Sequence, residues 1–241
     1  TSYARSKSAE KKSLEELKAL HEAGLSRLHI GMESGNDEVL AFMQKGVNQE
    51  QHISGGQKVV AAGISLSEYI MPGLGGKRWS QVHALDSARA LSEINPDFIR
   101  LRSLIVRRNS ILYDKYLAGE FEPLSEDEFV DEIALFIENL DCDSYVVSDQ
   151  MSNLLFEVEG QFPQDKERVL REINHYRQKQ PLEKLKFRLN RRLRSYLAVY
   201  GGLSPEMDRK VSEALESIAK EAPEAESKTN QAISALKDGF V

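Results

Sequence analysis

The sequence predicts an α/β protein built from one arc of an α/β barrel, and three segments carry that prediction. Leu28-His29-Ile30-Gly31-Met32-Glu33-Ser34-Gly35 runs a buried-type strand straight into charged and small residues. Tyr69-Ile70-Met71-Pro72 opens onto Gly73-Leu74-Gly75-Gly76, and Asp97-Phe98-Ile99-Arg100-Leu101-Arg102 sets two arginines inside a strand-like run. Strands that alternate with helices argue for βα units and a parallel sheet. In a barrel of such units, polar groups at the C-terminal ends of the strands mark the rim where ligands sit.

Thr1-Ser2-Tyr3-Ala4-Arg5 reads as the tail of a strand entering a loop, and we expect further chain ahead of it. Ser13 and Glu16 form a capping-box pair that heads a helix with Leu14, Leu17 and Leu20 on its apolar side, ending near Gly24. The strand at Leu28–Met32 follows, then a short helix carrying Val39, Leu40 and Met43 that stops at Gly46. Asn48 with Gln51 starts another helix running to Gly63; its Gly55-Gly56 pair weakens it by roughly 1 kcal/mol per glycine relative to alanine. A strand from Ile64 to Met71 leads into the glycine turn. The helix over 80–94 carries Val82, Leu85 and Leu91; Asn95-Pro96 breaks it before a strand over 97–105.

A loop around Gly119 and Pro123 precedes a helix over 125–140, headed by the capping pair Ser125 and Glu128. A fourth strand over 142–148 ends at Asp149, which reads as the N-cap of a helix starting at Gln150. Charged helices are predicted over 165–179, 182–200 and 204–221, and the polar tail beyond Pro223 reads as frayed. The chain therefore divides into an α/β part, residues 1–150, and a helical extension, residues 151–241.

Side chains alternate faces along a strand. With Ile99, Leu101 and Ile105 packed outward on helices, Arg100 and Arg102 point inward. The same alternation puts Leu28, Ile30 and Met32 outward and His29, Gly31 and Glu33 inward. Inward charge suits a lined cavity better than a sheet buried on both faces, whose strands read as continuous apolar runs.

The net charge of −6 gives no bulk attraction to nucleic acid. No apolar run approaches the roughly 18 residues of a membrane span, and the polar, basic start does not read as a signal peptide. The single cysteine, Cys142, supplies neither an intrachain disulfide nor a cysteine-built metal cluster. A cytoplasmic protein is the expectation.

The turn at Gly73–Gly76 serves either a tight βα connection or close approach of the backbone to a ligand. It is not a P-loop, because Lys77 is followed by Arg78. Glu33 and Ser34 suit a sugar hydroxyl or an amine, or alternatively a rim ion pair. Glu68 demands a partner inside its strand, for which Arg100 or Arg102 would serve, in a structural or a catalytic pair. His29 and Glu33 lack a third metal ligand. His21, His52, His83 and His175 read as helix-surface residues. Residues 184–194 hold six basic residues in eleven and no acid, with Leu185, Leu189 and Leu193 on one side. That amphipathic basic helix fits RNA, an acidic helix or a membrane surface.

These residues together resemble the radical S-adenosylmethionine (radical SAM) superfamily over about residues 1–150. The resemblance makes Leu28–Gly35, Tyr69–Gly76 and Asp97–Ile105 the fourth, fifth and sixth strands of a partial TIM-like (βα)6 barrel. It implies an enzyme in which a [4Fe–4S] cluster cleaves S-adenosylmethionine reductively to start radical chemistry on a small-molecule or peptide substrate. It also implies cofactor contacts from Glu33, Ser34, Met71, Gly73, Gly75, Arg100 and Arg102, with Glu68, Arg100 and Arg102 as catalytic candidates. The family's C-x-x-x-C-x-x-C loop is absent from the sequence, so the chain alone is expected to be inactive and to need a missing half-barrel or self-association. The alternative is a non-catalytic module that binds RNA or protein through residues 184–194, using Arg188, Arg191 and Arg192.

Overall fold

A computed structural model describes residues 1–239. The elements follow in chain order as β1 (Ser2–Ala4), α1 (Ser6–Glu10), α2 (Leu14–Glu22), β2 (Arg27–Glu33), α3 (Asp37–Phe42), α4 (Gln49–Ala61), β3 (Ser65–Ile70), α5 (Gly76–Ile94) and β4 (Phe98–Leu101). After these come α6 (Ile111–Leu117), α7 (Glu126–Asn139), β5 (Tyr145–Val147), β6 (Gly160–Gln161), α8 (Lys166–Arg177), α9 (Pro181–Tyr200), α10 (Pro205–Ala219) and α11 (Ala225–Asp238). The strands form one sheet in sequential order, parallel from β1 to β5, with β6 antiparallel at the far edge.

Local chemistry accounts for most boundaries. Reciprocal capping boxes start α2 at Ser13/Glu16, α4 at Asn48/Gln51 and α7 at Ser125/Glu128. The Gly55-Gly56 pair inside α4 is tolerated because two neighbours pass too close for any side chain. A Cβ on Gly55 would stand 2.8 Å from the Ser6 carbonyl, and one on Gly56 would stand 2.7 Å from Ile94. The helix gives up propensity there to gain packing.

Register fixes the two faces of the sheet. Ile30 stands beside Glu68, Glu68 beside Ile99, and Ile99 beside Val146. These residues, with Leu28, Leu66 and Leu101, are buried under the helices. On the opposite face Tyr3 stands beside His29, and Tyr69 beside Arg100. Tyr3 is 78% exposed and His29, Tyr69 and Arg100 are half-buried, so this face is open.

Several sequence expectations need correction. The strand expected over 97–105 ends at Leu101, and the chain beyond it follows β3 only through single bonds, Arg102 N–H to the Ile70 carbonyl and Leu104 N–H to that of Pro72. Residues 150–155 form turns instead of a helix. Helix α6 and strand β6 went unpredicted, being short and weakly patterned. The stretch beyond Pro223 is not a frayed tail, because α11 buries Thr229, Ala232, Ile233 and Leu236.

The chain separates into two compact units, Thr1–Ile173 and the residues from Asn174 onward. The second has its own core of Leu185, Leu189, Val211, Ala214, Ile233 and Leu236. Within it Arg188 and Arg192 of α9 are buried, and Arg188 Nε donates to the Tyr176 hydroxyl at 2.6 Å. The basic helix therefore does not present Arg188 and Arg192 to a partner, contrary to the binding-module reading, because the leucine stripe carries them inward with it. Lys186 and Arg194 remain exposed.

Candidate functional site

The open face of the sheet gathers the polar residues of the three signal segments. Tyr3 and His29 lie with ring centroids 5.1 Å apart, and His29 and Tyr69 6.0 Å apart. Arg102 places its guanidinium 5.2 Å from the Tyr69 ring centre, a cation–π arrangement. Arg100 and Arg102 both reach Asp149 beyond β5, at 3.1 and 2.8 Å. Asp149 is thus an ion-pair partner, not a helix cap. Burial pushes its carboxyl up, but the Arg102 hydrogen bond and both arginine charges hold it below its ordinary value. Burial and the charges of Arg100 and Arg27 hold His29 below its ordinary value.

Glu33 ends β2 at φ 62°, after an irregularity in the pairing between Gly31 and Glu33. Its Oε1 lies 3.4 Å from where a Cβ on Gly31 would stand, so the carboxylate covers the open face above that glycine. Its Oε2 pairs with Lys45. A non-glycine residue held in the left-handed region signals local strain, which clusters at functional sites. A cavity of about 530 Å³ adjoins this corner, lined by Arg5, Lys7, Glu33, Lys45 and His52 among others.

Glu68 does not join Arg100 or Arg102. Register sets it between Ile30 and Ile99 on the helix-covered face, fully buried, and neither carboxylate oxygen has a hydrogen-bond partner. Burial pushes its pKa well above the usual carboxylate range, against the nearby Met32 backbone. Period-two alternation separates it from both arginines, which pair with Asp149.

Ser34 also lies away from the open face. It is fully buried, with its hydroxyl 2.8 Å from His83 Nδ1 and accepting from the Asn36 N–H. His83 and His52 are 1% exposed rather than surface residues. Burial holds both near a pKa of about 4, opposed by the Met71 backbone and Asp86 at His83 and by Asp37 at His52. His83 Nε2 lies 3.1 Å from the Met71 carbonyl.

Gly73 (φ 84°) and Gly75 are buried in the turn, and a Cβ on Gly73 would strike the Phe129 ring. From α7, Glu132 accepts the Gly73 N–H at 2.6 Å and the Ser80 hydroxyl at 2.5 Å. Burial raises its pKa to about 7 against those two hydrogen bonds. Across the sheet Asn153 bridges the ends of β4 and β5, donating to the Leu101 carbonyl and Ser148 and accepting from the Ser103 N–H. Sequence reasoning missed His83, Glu132 and Asn153. Each sits far along the chain from the segment it supports, and no local pattern announces such a partner.

The arrangement is a parallel sheet with one open face of aromatic and ionic groups and a buttressed rim at its strand ends. Residues 7–88 match the radical SAM superfamily domain and residues 96–179 the Radical_SAM C-terminal domain. The chain belongs to the radical SAM superfamily. It is 27% identical over 125 residues to a tRNA uridine(34) acetyltransferase of Methanocaldococcus infernus, covering 49% of this chain and 22% of that protein. A protein of the same name from Methanocaldococcus jannaschii is 26% identical over 125 residues, with the same coverage. The chain thus spans about a fifth of the length of these two relatives. Its fold is similar to the solved structure of the archaeal Methanocaldococcus infernus Elp3 with an N-terminal deletion (TM-score 0.53, 19% identity), covering 73% of this chain and 42% of that one.

Proposed function

We propose that this chain is part of the barrel wall of a radical SAM enzyme acting on a tRNA nucleoside, and that its open face holds S-adenosylmethionine. The observation that carries the reading is the convergence of Glu33, Tyr69, Arg100 and Arg102 on the open face at the C-terminal ends of β2, β3 and β4, with His29 deeper on the same face. Glu33 suits the ribose hydroxyls or the amino group, the arginines suit the carboxylate, and Met71, Gly73 and Gly75 border the adenine. The tRNA substrate is taken from the printed names of the two archaeal relatives.

The S-adenosylmethionine part of the family's chemistry fits these residues; the iron–sulfur part does not. One cysteine is present, Cys142, buried and with its thiol pushed up by that burial. No group of three His, Cys, Asp or Glu among the described residues could hold a metal ion. We therefore assign cluster ligation to residues outside these 241 and give this chain the tasks of binding and orientation. Among the described residues no helix is long and apolar enough to cross a membrane.

Titration with S-adenosylhomocysteine, followed by NMR of the chain, tests the reading. Resonances of Tyr69, His29 and the two arginine side chains should shift saturably, and Arg100→Ala should weaken the response about tenfold, as loss of a charge-assisted contact does. Unperturbed open-face resonances at millimolar ligand would overturn it.

A further inference from the structure

We propose that His83 and Glu132 are positioning residues for the ligand rim, together holding the ends of β2 and β3 in the arrangement that receives the adenosyl group. The inference rests on the reading above and extends it to two residues that touch no ligand.

For the neutral ring that burial favours, the hydrogen-bond partners of His83 leave one assignment. The Met71 carbonyl, 3.1 Å from Nε2, can only accept, so Nε2 carries the proton and donates. Nδ1 then accepts, and the Ser34 hydroxyl 2.8 Å away donates to it. That hydroxyl oxygen accepts in turn from the Asn36 N–H at 3.0 Å. One neutral imidazole thus bridges the residue just after β2 to the residue just after β3. Its proton inventory is full, and Ser34 has no proton to offer a ligand.

Glu132 finishes the clamp from a distant helix. One oxygen takes the Gly73 N–H and the other takes the Ser80 hydroxyl, so the carboxylate ties the glycine turn to the first turns of α5. Gly73 is held in the left-handed region with Phe129 packed against its Cα side. Its amide would otherwise be a buried donor with nothing to bond. Glu132 Oε1 also lies 3.7 Å from His83 Nε2, so the two side chains are adjacent halves of one support. The rim segments at Glu33–Ser34 and Met71–Gly75 are therefore fixed from behind, on the side away from the open face.

Two variants of Glu132 separate positioning from bulk stability. Glu132→Met keeps the volume and deletes both hydrogen bonds, whereas Glu132→Gln can still accept from Gly73 and donate to Ser80. Amide exchange at Gly73 is measured against Ile99 and Val146 as core references, beside the affinity for S-adenosylhomocysteine. In Glu132→Met, Gly73 exchange should quicken about tenfold relative to those references and affinity should fall about tenfold, with Glu132→Gln restoring most of both. Equal acceleration at all three amides with unchanged affinity would overturn the proposal, since that is what a purely structural glutamate gives. A wild-type chain that binds no S-adenosylhomocysteine would sink the ligand reading instead, whatever the Gly73 amide does.

Discussion

The two faces of this sheet treat their carboxylates in opposite ways, while burial lowers the pKa of histidines on both. On the helix-covered side Glu68 is driven toward its protonated form, and His52 and His83, buried among the helices, are driven toward their neutral forms. On the open side Asp149 is held ionised between Arg100 and Arg102. Desolvation penalises charge wherever no partner repays it. A charged residue type in a strand is therefore no guide to function by itself. The face it lands on decides whether it acts as an ion or as an awkward neutral group in a core.

The largest consequence is expected where packing is tightest. Ile99 is fully buried, and Ile99→Ala should cost roughly 2–5 kcal/mol. Arg100→Ala, one residue along on the other face, should cost about 1 kcal/mol or less. Urea unfolding of both variants makes the comparison, and equal costs would show that the open face is packed after all.

Next comes the acid limb. His52 is depressed from 6.5 to about 4, so between those values the unfolded chain binds a proton that the folded chain refuses. Stability is then lost as pH falls from 6.5 toward 4, by roughly 3 kcal/mol from this residue alone. His52→Asn keeps an acceptor for Ser6 and cannot titrate, so its stability should fall less steeply below pH 6.5. Parallel pH curves for wild type and variant would break the assignment. His83, also depressed to about 4, adds to the slope with the same sign, and the raised carboxyls of Glu68 and Glu132 oppose it.

Much of this frame was legible in the sequence because its signals are local. Capping pairs at Ser13, Asn48 and Ser125 set helix starts, and alternation through 28–32 and 98–102 set the faces of His29, Arg100 and Arg102. What stayed hidden depends on contacts distant along the chain. Glu68 invited pairing with an arginine by residue type, and only register shows that Ile30 and Ile99 flank it. His83 looked like a helix-surface residue because nothing within α5 reveals the Ser34 hydroxyl and Met71 carbonyl on either side of its ring. The tail after Pro223 read as frayed because Ala225, Thr229 and Ala232 are small, and small side chains bury against a close neighbour without raising the local hydropathy.

Glu68 sharpens the comparison from the covered side. Both its oxygens lack hydrogen bonds, so Glu68→Met should stabilise the fold by about 1–3 kcal/mol at pH 7. The sign follows from its raised pKa: above pH 4.5 the unfolded chain sheds this proton while the folded chain keeps it, so the wild-type penalty grows with pH. The gain in Glu68→Met should therefore shrink toward pH 4.5. A destabilised variant at neutral pH would mean that the carboxyl is serving a partner.

The smallest effect on stability is expected at Asp149, and it tests the open side most directly. Asp149 is 49% exposed at its side chain, where ion pairs are screened and net contributions run to about 1 kcal/mol or less. Asp149→Asn should leave the unfolding midpoint almost unmoved. It should nevertheless alter ligand affinity, because both guanidinium groups lose their resident counter-charge and become free for an anionic group. S-adenosylhomocysteine, which carries a carboxylate, should bind a few-fold more tightly to Asp149→Asn, and added salt should erode that gain. A large loss of stability with no change in binding would place Asp149 among the structural groups of the core, and the contrast between the two faces would fail at the residue where it is drawn most sharply.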